Sequence, residues 1–499
     1  MLSIPASTKI YLCVLPVDMR RSFDSLAELV RTQGMQAQLD LLLRARFGKK
    51  SESIPVGQLR LFADEPEDEE QVPEPDVSEE SGATGRSHGR RKPAKELPRV
   101  RQVYDLPESE QACPACQTTR EVIGEEVSEQ YDYSPASIRV IEHVRLKRAC
   151  RACGEHVAIA EKPKEVLERC LATPSMLAYI ATSKLADHLP LNRLEAIFKR
   201  DGARIARSTM CDWMAKEADM LEPLYLEMKK RILSSRVVWT DDTPVKMQDR
   251  QDERNMRQAR VWVYIGDGGN PFTVFDFTES RKRDGPVEFL KGFEGYLQAD
   301  AFAGYDCIFS GGKVKEAACW AHARRKFFDA QSSGDKACKE ILEMIQRLYR
   351  LEKQIKELPI AEKALCRKEK ALPIINDLKA ILDKQKLIAL PKSALGKAVT
   401  YALNNWDALK TYTANGAVDI DNNKSERALR SMAVGRKNWL FMGSKQGGRT
   451  NCIIASFIAT CKALDIHPRL YLEDVLTRLA AGETELEGLL PDRWQQVKA

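Results

Sequence analysis

Three acidic residues carry the side chains that metal-assisted chemistry at phosphorus needs: Asp241 in WTDDTPVKM, Asp300 in YLQADAFAGYD and Glu426 in IDNNKSERALR. Carboxylates are hard oxygen donors. Supplied from different elements, they can converge on a pair of Mg²⁺ or Mn²⁺ ions ~3.5–4 Å apart, which serve the attacking and leaving oxygens of an in-line displacement. No covalent protein nucleophile is required. Plainer readings stand beside this one. Aspartate is a common turn residue, and Asn423 followed three residues later by Glu426 spells a helix capping box, with Arg430 placed for a surface ion pair. Asp242 is a rival to Asp241, but strand alternation sends the two side chains to opposite faces.

A second constellation is sulfur. CPAC at 113–116 and CRAC at 150–153 are two thiolate pairs separated by 33 residues that include alternating, strand-like sequence. Cys113, Cys116, Cys150 and Cys153 make one tetrahedral zinc site, as in a zinc ribbon, whereas a redox dithiol would need only one pair. His143 and His156 stand nearby as substitute ligands or surface residues. After Glu426 comes a basic tail in which Arg430, Arg436 and Lys437 suit phosphates, and Trp439 offers either a face for a displaced base or a core side chain.

Positioning these groups takes several kinds of element. Residues 174–217 read as helices, with Gly202 breaking the second and Ser208 available to cap the third. Two helices about a glycine turn suggest a helix-turn-helix, with Arg204, Arg207 and Lys216 for phosphate contact, or a plain bundle. The pattern then alternates short β-rich runs with a helical one: strand, strand, strand, helix, strand, then further helix and strand. That order suits a ribonuclease-H-like α/β domain, with Asp241, Asp242 and Asp300 at strand ends. His322, in CWAHARRKF, could position phosphate or metal, or simply pack. Ile341, Ile345, Leu348, Leu351, Ile355 and Leu358 recur at helical spacing, as a core or an inter-subunit face.

Composition sets the outer limits. A chain of 499 residues with 43% apolar content can fill two to four domains. No apolar run approaches the ~20 residues of a membrane span, and the N-terminus lacks secretory features, so a cytoplasmic, nucleoid-associated location is expected. Thirteen cysteines are too sparse for a disulfide scaffold. Net charge is +6, but residues 1–80 hold 9 Lys/Arg against 15 Asp/Glu, leaving a basic remainder. Residues 61–80 contain ten acidic side chains and three prolines ahead of a basic run, which reads as a linker that changes sign.

WTDDTPVKM, YLQADAFAGYD, CWAHARRKFFDA and IDNNKSERALRSMAVGRKNWLFMGSKQGG together resemble the DDE transposases of the insertion sequence 66 family. The likeness runs from about residue 40 to the end and takes in the cysteine pairs, DHLPLNRLEAIF and LYLEDVLTRLAAGETELEGLLPDRW. It implies that Asp241, Asp300 and Glu426 form a catalytic triad on an RNase H-like fold. It also implies Mg²⁺ or Mn²⁺ with Zn²⁺ as cofactors, and element ends and target DNA as substrates. A homo-oligomer assembled on DNA and accessory proteins of the same element are the further partners. Where the family usually has Asp-Glu-Thr-Pro, this chain has Asp-Asp-Thr-Pro, and the motif position selects Asp241.

The first 36 residues resemble the start of the element's small accessory protein, so the chain reads as a fusion. Its alternative function is that of a catalytically inactive remnant that only binds DNA. The expected organisation is a multidomain α/β protein. It starts with the fragment at 1–36, a residual helical segment at 37–60, a disordered linker at 61–100, a zinc ribbon at 101–165 and a helical DNA-binding region at 166–232. The catalytic core follows at 233–331 and 405–462, around a helical insertion at 332–404, before a C-terminal helical segment at 463–499.

Overall fold

The computed structural model describes residues 138–144, 147–148, 158–159, 166–167, 170–249, 255–300, 302–331 and 336–495. The described residues all belong to one compact unit, Gly82–Ala499. The accessory-like fragment, the residual helical segment, the linker, His156 and all four CxxC cysteines lie outside them. Among the described residues no helix is long and apolar enough to cross a membrane.

A two-residue antiparallel pair, β1 (Lys147–Arg148) and β2 (Ala158–Ile159), comes first. Three helices follow: α1 (Pro174–Leu185), α2 (Leu191–Arg200) and α3 (Arg207–Leu233). Gly202, at φ +89°, makes the left-handed step after α2 that a side chain would strain. The third helix differs from the sequence expectation. It starts after Ala206 without a side-chain cap, so Ser208 lies inside its first turn. It also continues through Pro223 to 27 residues, with buried side chains from Met210 to Ile232. A face that apolar over that length packs as a core helix, which offsets the hydrogen bond lost at the proline.

The sheet has five strands: β3 (Val237–Gln248), β4 (Met256–Ile265), β5 (Thr273–Thr278), β6 (Gly295–Gln298) and β7 (Val314–Ala317), in the order β5-β4-β3-β6-β7. Strands β3, β4 and β5 form an antiparallel meander, whereas β6 and β7 run parallel to β3. The short helix α4 (Asp284–Phe289) makes the crossover into β6. Continuous burial of β4 from Val261 to Ile265 marks the middle of the sheet as covered on both sides.

Helix α5 (Trp320–Gln331) leads into a wholly helical stretch: α6 (Lys336–Gln354), α7 (Ile360–Cys366) and α8 (Leu372–Ile388), then α9 (Ala394–Asn404). A π-helical turn, Arg367–Ala371, joins α7 to α8. Ile341, Ile345, Leu348, Leu351 and Ile355 are buried within this chain, so that apolar row is core. The fold closes with α10 (Asn423–Trp439), α11 (Lys445–Ala463) and α12 (Pro468–Ala480).

Edge strand β5 would present unpaired backbone groups, and α11 covers them. Ser456 Oγ accepts the Phe275 N–H at 2.8 Å; Thr460 Oγ1 accepts the Thr273 N–H at 3.0 Å and donates to the Thr273 carbonyl at 3.2 Å. Each hydroxyl substitutes for a missing neighbour strand. Thr460→Val should therefore leave two buried backbone groups unmet and cost about 1–3 kcal/mol, while Thr460→Ser should lose little. Urea midpoints of the two variants check this, and equal midpoints would reject the seal.

Candidate active site

Strands β3 and β6 pair in parallel, Val237 with Tyr296 and Trp239 with Gln298. Carried two residues further, the same register sets Asp241 level with Asp300. Asp241 and Asp242 are not at a strand end as the sequence suggested, because β3 continues to Gln248 in its hairpin with β4. They stand where β6 stops and β3 runs on, so one side of β3 opens at Asp241.

Glu426 comes from the first turn of α10, and three ties bring that helix to the strands. Asn422 is wholly buried; its Nδ2 donates to the Thr240 carbonyl at 2.9 Å, and its Oδ1 accepts from Ser425 Oγ at 2.9 Å. Gln298 pairs with the backbone of Asp419 in both directions, at 2.7 and 3.1 Å. The Trp320 N–H donates to the Ile420 carbonyl at 3.2 Å. The residues just before Asp241, Asp300 and His322 thus all bind the segment that precedes Glu426. The capping box is absent: Asn422, not Asn423, is the N-cap, and it makes no side-chain cap bond. Its amide is spent on β3 instead. Glu426 Oε1 lies 3.6 Å from His322 Nε2 rather than against Arg430, which is exposed.

The two adjacent aspartates have opposite surroundings. Asp242 is 2% exposed and saturated: Arg260 Nη1 reaches Oδ2 at 2.8 Å, while Arg281 reaches Oδ1 through Nε at 3.0 Å and Nη2 at 2.9 Å. Asp241 has no cationic partner among the described residues, and its Oδ1 accepts only the Asp242 N–H at 2.7 Å. Burial pushes the Asp241 carboxyl up to about 7; the charges of Asp300, Asp242 and Glu426 push the same way, against that backbone bond. Arg281, stacked 4.1 Å over the Phe302 ring, also stands 3.7 Å from Asp300.

Among the described residues no group of three or more His, Cys, Asp or Glu side chains is placed closely enough, as it stands, to hold a metal ion. What exists is an open group of hard oxygens whose members repel one another, with Asp241 lacking a countercharge. Asp241, Asp300 and Glu426 are oxygen donors of the hard kind that a divalent cation takes, whereas both oxygens of Asp242 are occupied by arginines.

The other site residues expected from the sequence scatter. Arg204 and Arg207 are exposed at the α2–α3 connection, where the Arg207 N–H donates to Glu195 Oε1 at 3.3 Å. Lys437 is exposed on α10. Arg436 donates through Nη1 to Thr243 Oγ1 at 2.7 Å and to the Pro244 carbonyl, fastening α10 to β3. Trp439 is half-buried and lies back over Gly435, where a Cβ would come within 2.7 Å of the indole nitrogen. Arg260, Arg281 and Asn422 were missed. The β3–β4 hairpin register, with Asp242 opposite Trp262, offered a signal for Arg260 alone.

Comparison with known proteins bears on four stretches of the chain. The model described as transposase IS66 family matches residues 169–450, and the IS66 C-terminal element matches 456–491. The zinc-finger binding domain of transposase IS66 matches 110–154, which contains all four CxxC cysteines. A model described as transposase C of IS166 homeodomain matches 35–101. Three uncharacterized proteins of Sinorhizobium fredii are similar over most of their length. Protein y4jD is 33% identical, covering 80% of this chain and 81% of its own; y4qI is 34% identical, with 80% and 76%. Protein y4hP is 31% identical, with 83% and 79%.

Arg260→Met should strip one of two guanidiniums from a buried carboxylate and cost about 3 kcal/mol. Adding Asp242→Leu should recover part of that loss. A denaturant double-mutant cycle reads the coupling, and additive effects would mean that the pair does not interact.

Proposed function

This chain belongs to the IS66 transposase family, and on that premise we propose that it cuts and joins DNA by a DDE mechanism at Asp241, Asp300 and Glu426. One observation carries the proposal: the β3–β6 register that sets Asp241 level with Asp300, with Glu426 tied alongside through Asn422 and Thr240. The order β5-β4-β3-β6-β7, an antiparallel meander with two parallel strands beyond it, supports an RNase H-like core. DNA is the partner, as the family implies.

Bound at these carboxylates, Mg²⁺ or Mn²⁺ supplies charge that acidifies an attacking water or 3′-hydroxyl and offsets charge on the leaving oxygen. The protein's part is placement and charge balance. Asp241 and Asp300 are held by the sheet and Glu426 by a helix end, so the three oxygens approach from two directions. Arg260 and Arg281 neutralise Asp242, which keeps a fourth negative charge from repelling the phosphate. His322 faces Glu426 and positions it. Exposed Arg427, Arg430 and Lys437 lie further along the same helix as phosphate contacts. The first step frees a 3′-hydroxyl by hydrolysis, and in the second that hydroxyl attacks target DNA. The four cysteines hold one Zn²⁺ in the segment that precedes this core.

Asp300→Asn, Asp241→Asn and Glu426→Gln should each lower nicking and joining of a labelled element end by at least ~10³-fold, about 4 kcal/mol of transition-state stabilisation, with gel-shift binding retained. Asp242→Asn should act mainly on stability. Nicking without joining would identify a metal nuclease, a shift without nicking a DNA-binding remnant, and unchanged cleavage by Asp300→Asn would rule the triad out.

Elemental analysis should find about one Zn²⁺ per chain in the purified protein. Cys116→Ser should release it, while the far-UV signal of the helical core stays. Full zinc retention in that variant would separate the metal from these thiolates.

A further inference from the structure

At the end of α10 two large apolar side chains stand in water: Leu440 is 65% exposed and Phe441 44%. They are held there. The Phe441 N–H donates to the Trp439 carbonyl at 2.8 Å, and Leu440 between them takes φ +66° and ψ −44°. This is the positive-φ γ-turn, a rare and strained form that a leucine seldom adopts. The next residue is pinned: the Met442 N–H donates to the Lys246 carbonyl at 2.8 Å, and its own carbonyl accepts the Gln248 N–H at 2.9 Å. Met442 itself is buried. Helix and strand thus clamp the tip from both sides.

The helix leading to this tip is polarised. Asn423, Arg427, Arg430, Val434 and Lys437 recur at steps of three and four along its exposed side, opposite the buried Ser425, Leu429, Met432 and Gly435. A row of cations that ends in an apolar projection matches a partner with phosphates along its edge and stacked apolar faces inside. Duplex DNA has both.

We propose that Leu440 and Phe441 form a wedge that enters the base stack of bound DNA and opens a step near the cut, while Arg427, Arg430 and Lys437 hold the strand beside it. The proposal rests on the DNA-cleaving reading above. Glu426 and Leu440 are fourteen positions apart along the helix, which at ~1.5 Å per residue is about 21 Å, or about six base pairs. The opened step therefore lies within that distance of the scissile phosphate. Opening it loosens the strand that must bend into the cleft beside Asp241.

The test uses full-length protein carrying Asp300→Asn and a nicked linear duplex with 2-aminopurine at successive positions from the nick. Emission should rise on binding at one or two positions within about six base pairs of the nick. The double variant Leu440→Ala with Phe441→Ala should lose that rise and bind about tenfold more weakly, the size of one lost base stack. Leu440→Gly, which relieves the turn, should melt higher and still lower the signal; Phe441→Trp should keep it. An unchanged rise in the double alanine variant overturns the wedge, as does the absence of any rise in the parent. Loss of self-association instead of unstacking, read by light scattering, overturns it in favour of a protein interface. Wild-type nicking is scored in parallel. Cleavage without unstacking removes only the wedge, whereas unstacking without cleavage removes the triad and leaves the wedge in place.

Discussion

Carboxylates repel one another, and gathering them in a half-buried cleft is unfavourable until a cation arrives. The fold resists that repulsion chiefly with backbone-directed hydrogen bonds, and Arg281 stands 3.7 Å from Asp300. Asn422 holds the start of α10 to Thr240, and Gln298, the last residue of β6, holds Asp419. These amides are neutral, so they fix positions without cancelling the charge that a metal needs. Burial, with the neighbouring carboxylates adding to it, accordingly raises the Asp241 carboxyl.

The helices between α5 and α9 belong to the same restraint. Arg367, buried in the π-helical turn, pairs with both oxygens of Glu352 at 2.9 and 2.6 Å and donates to the carbonyls of Tyr412, Asn415 and Val418. Tyr349 Oη donates to Asp421 at 3.0 Å. A segment with little regular structure of its own is thereby held on one side by these helices and on the other by the sheet, just before it turns into the Glu426 helix. A buried guanidinium suits this task because its planar donors reach several carbonyls at once. These helices therefore support the segment that leads into Glu426 as well as separating it in sequence from the strands.

Neighbouring charges in this protein acquire different jobs from their surroundings. Asp241 and Asp242 are chemically identical and adjacent, yet one has no cationic partner among the described residues and the other is locked between Arg260 and Arg281. Likewise Arg436 is tied to β3 while Lys437 faces water. Alternation along a strand and the turn of a helix separate these pairs by direction, and tertiary contacts then decide what each direction meets.

The sequence by itself determined the kind of protein and the order of its parts. The switch from helical to alternating periodicity located the strands from Val237 to Ala317, the recurring apolar row located α6, and motif position singled out Asp241, Asp300 and Glu426. These are local patterns, set by backbone period and side-chain type. Tertiary structure alone decided that β3 would run on past Asp241, that α3 would continue through Pro223, and that Asn422 would bind a strand instead of capping its helix. It also supplied Arg281, whose loop carries no spacing signal, and the strained turn at Leu440. Those outcomes depend on partners far away in the chain, such as Thr240 for Asn422 or Asp242 for Arg281. No periodicity within either segment encodes such a pairing.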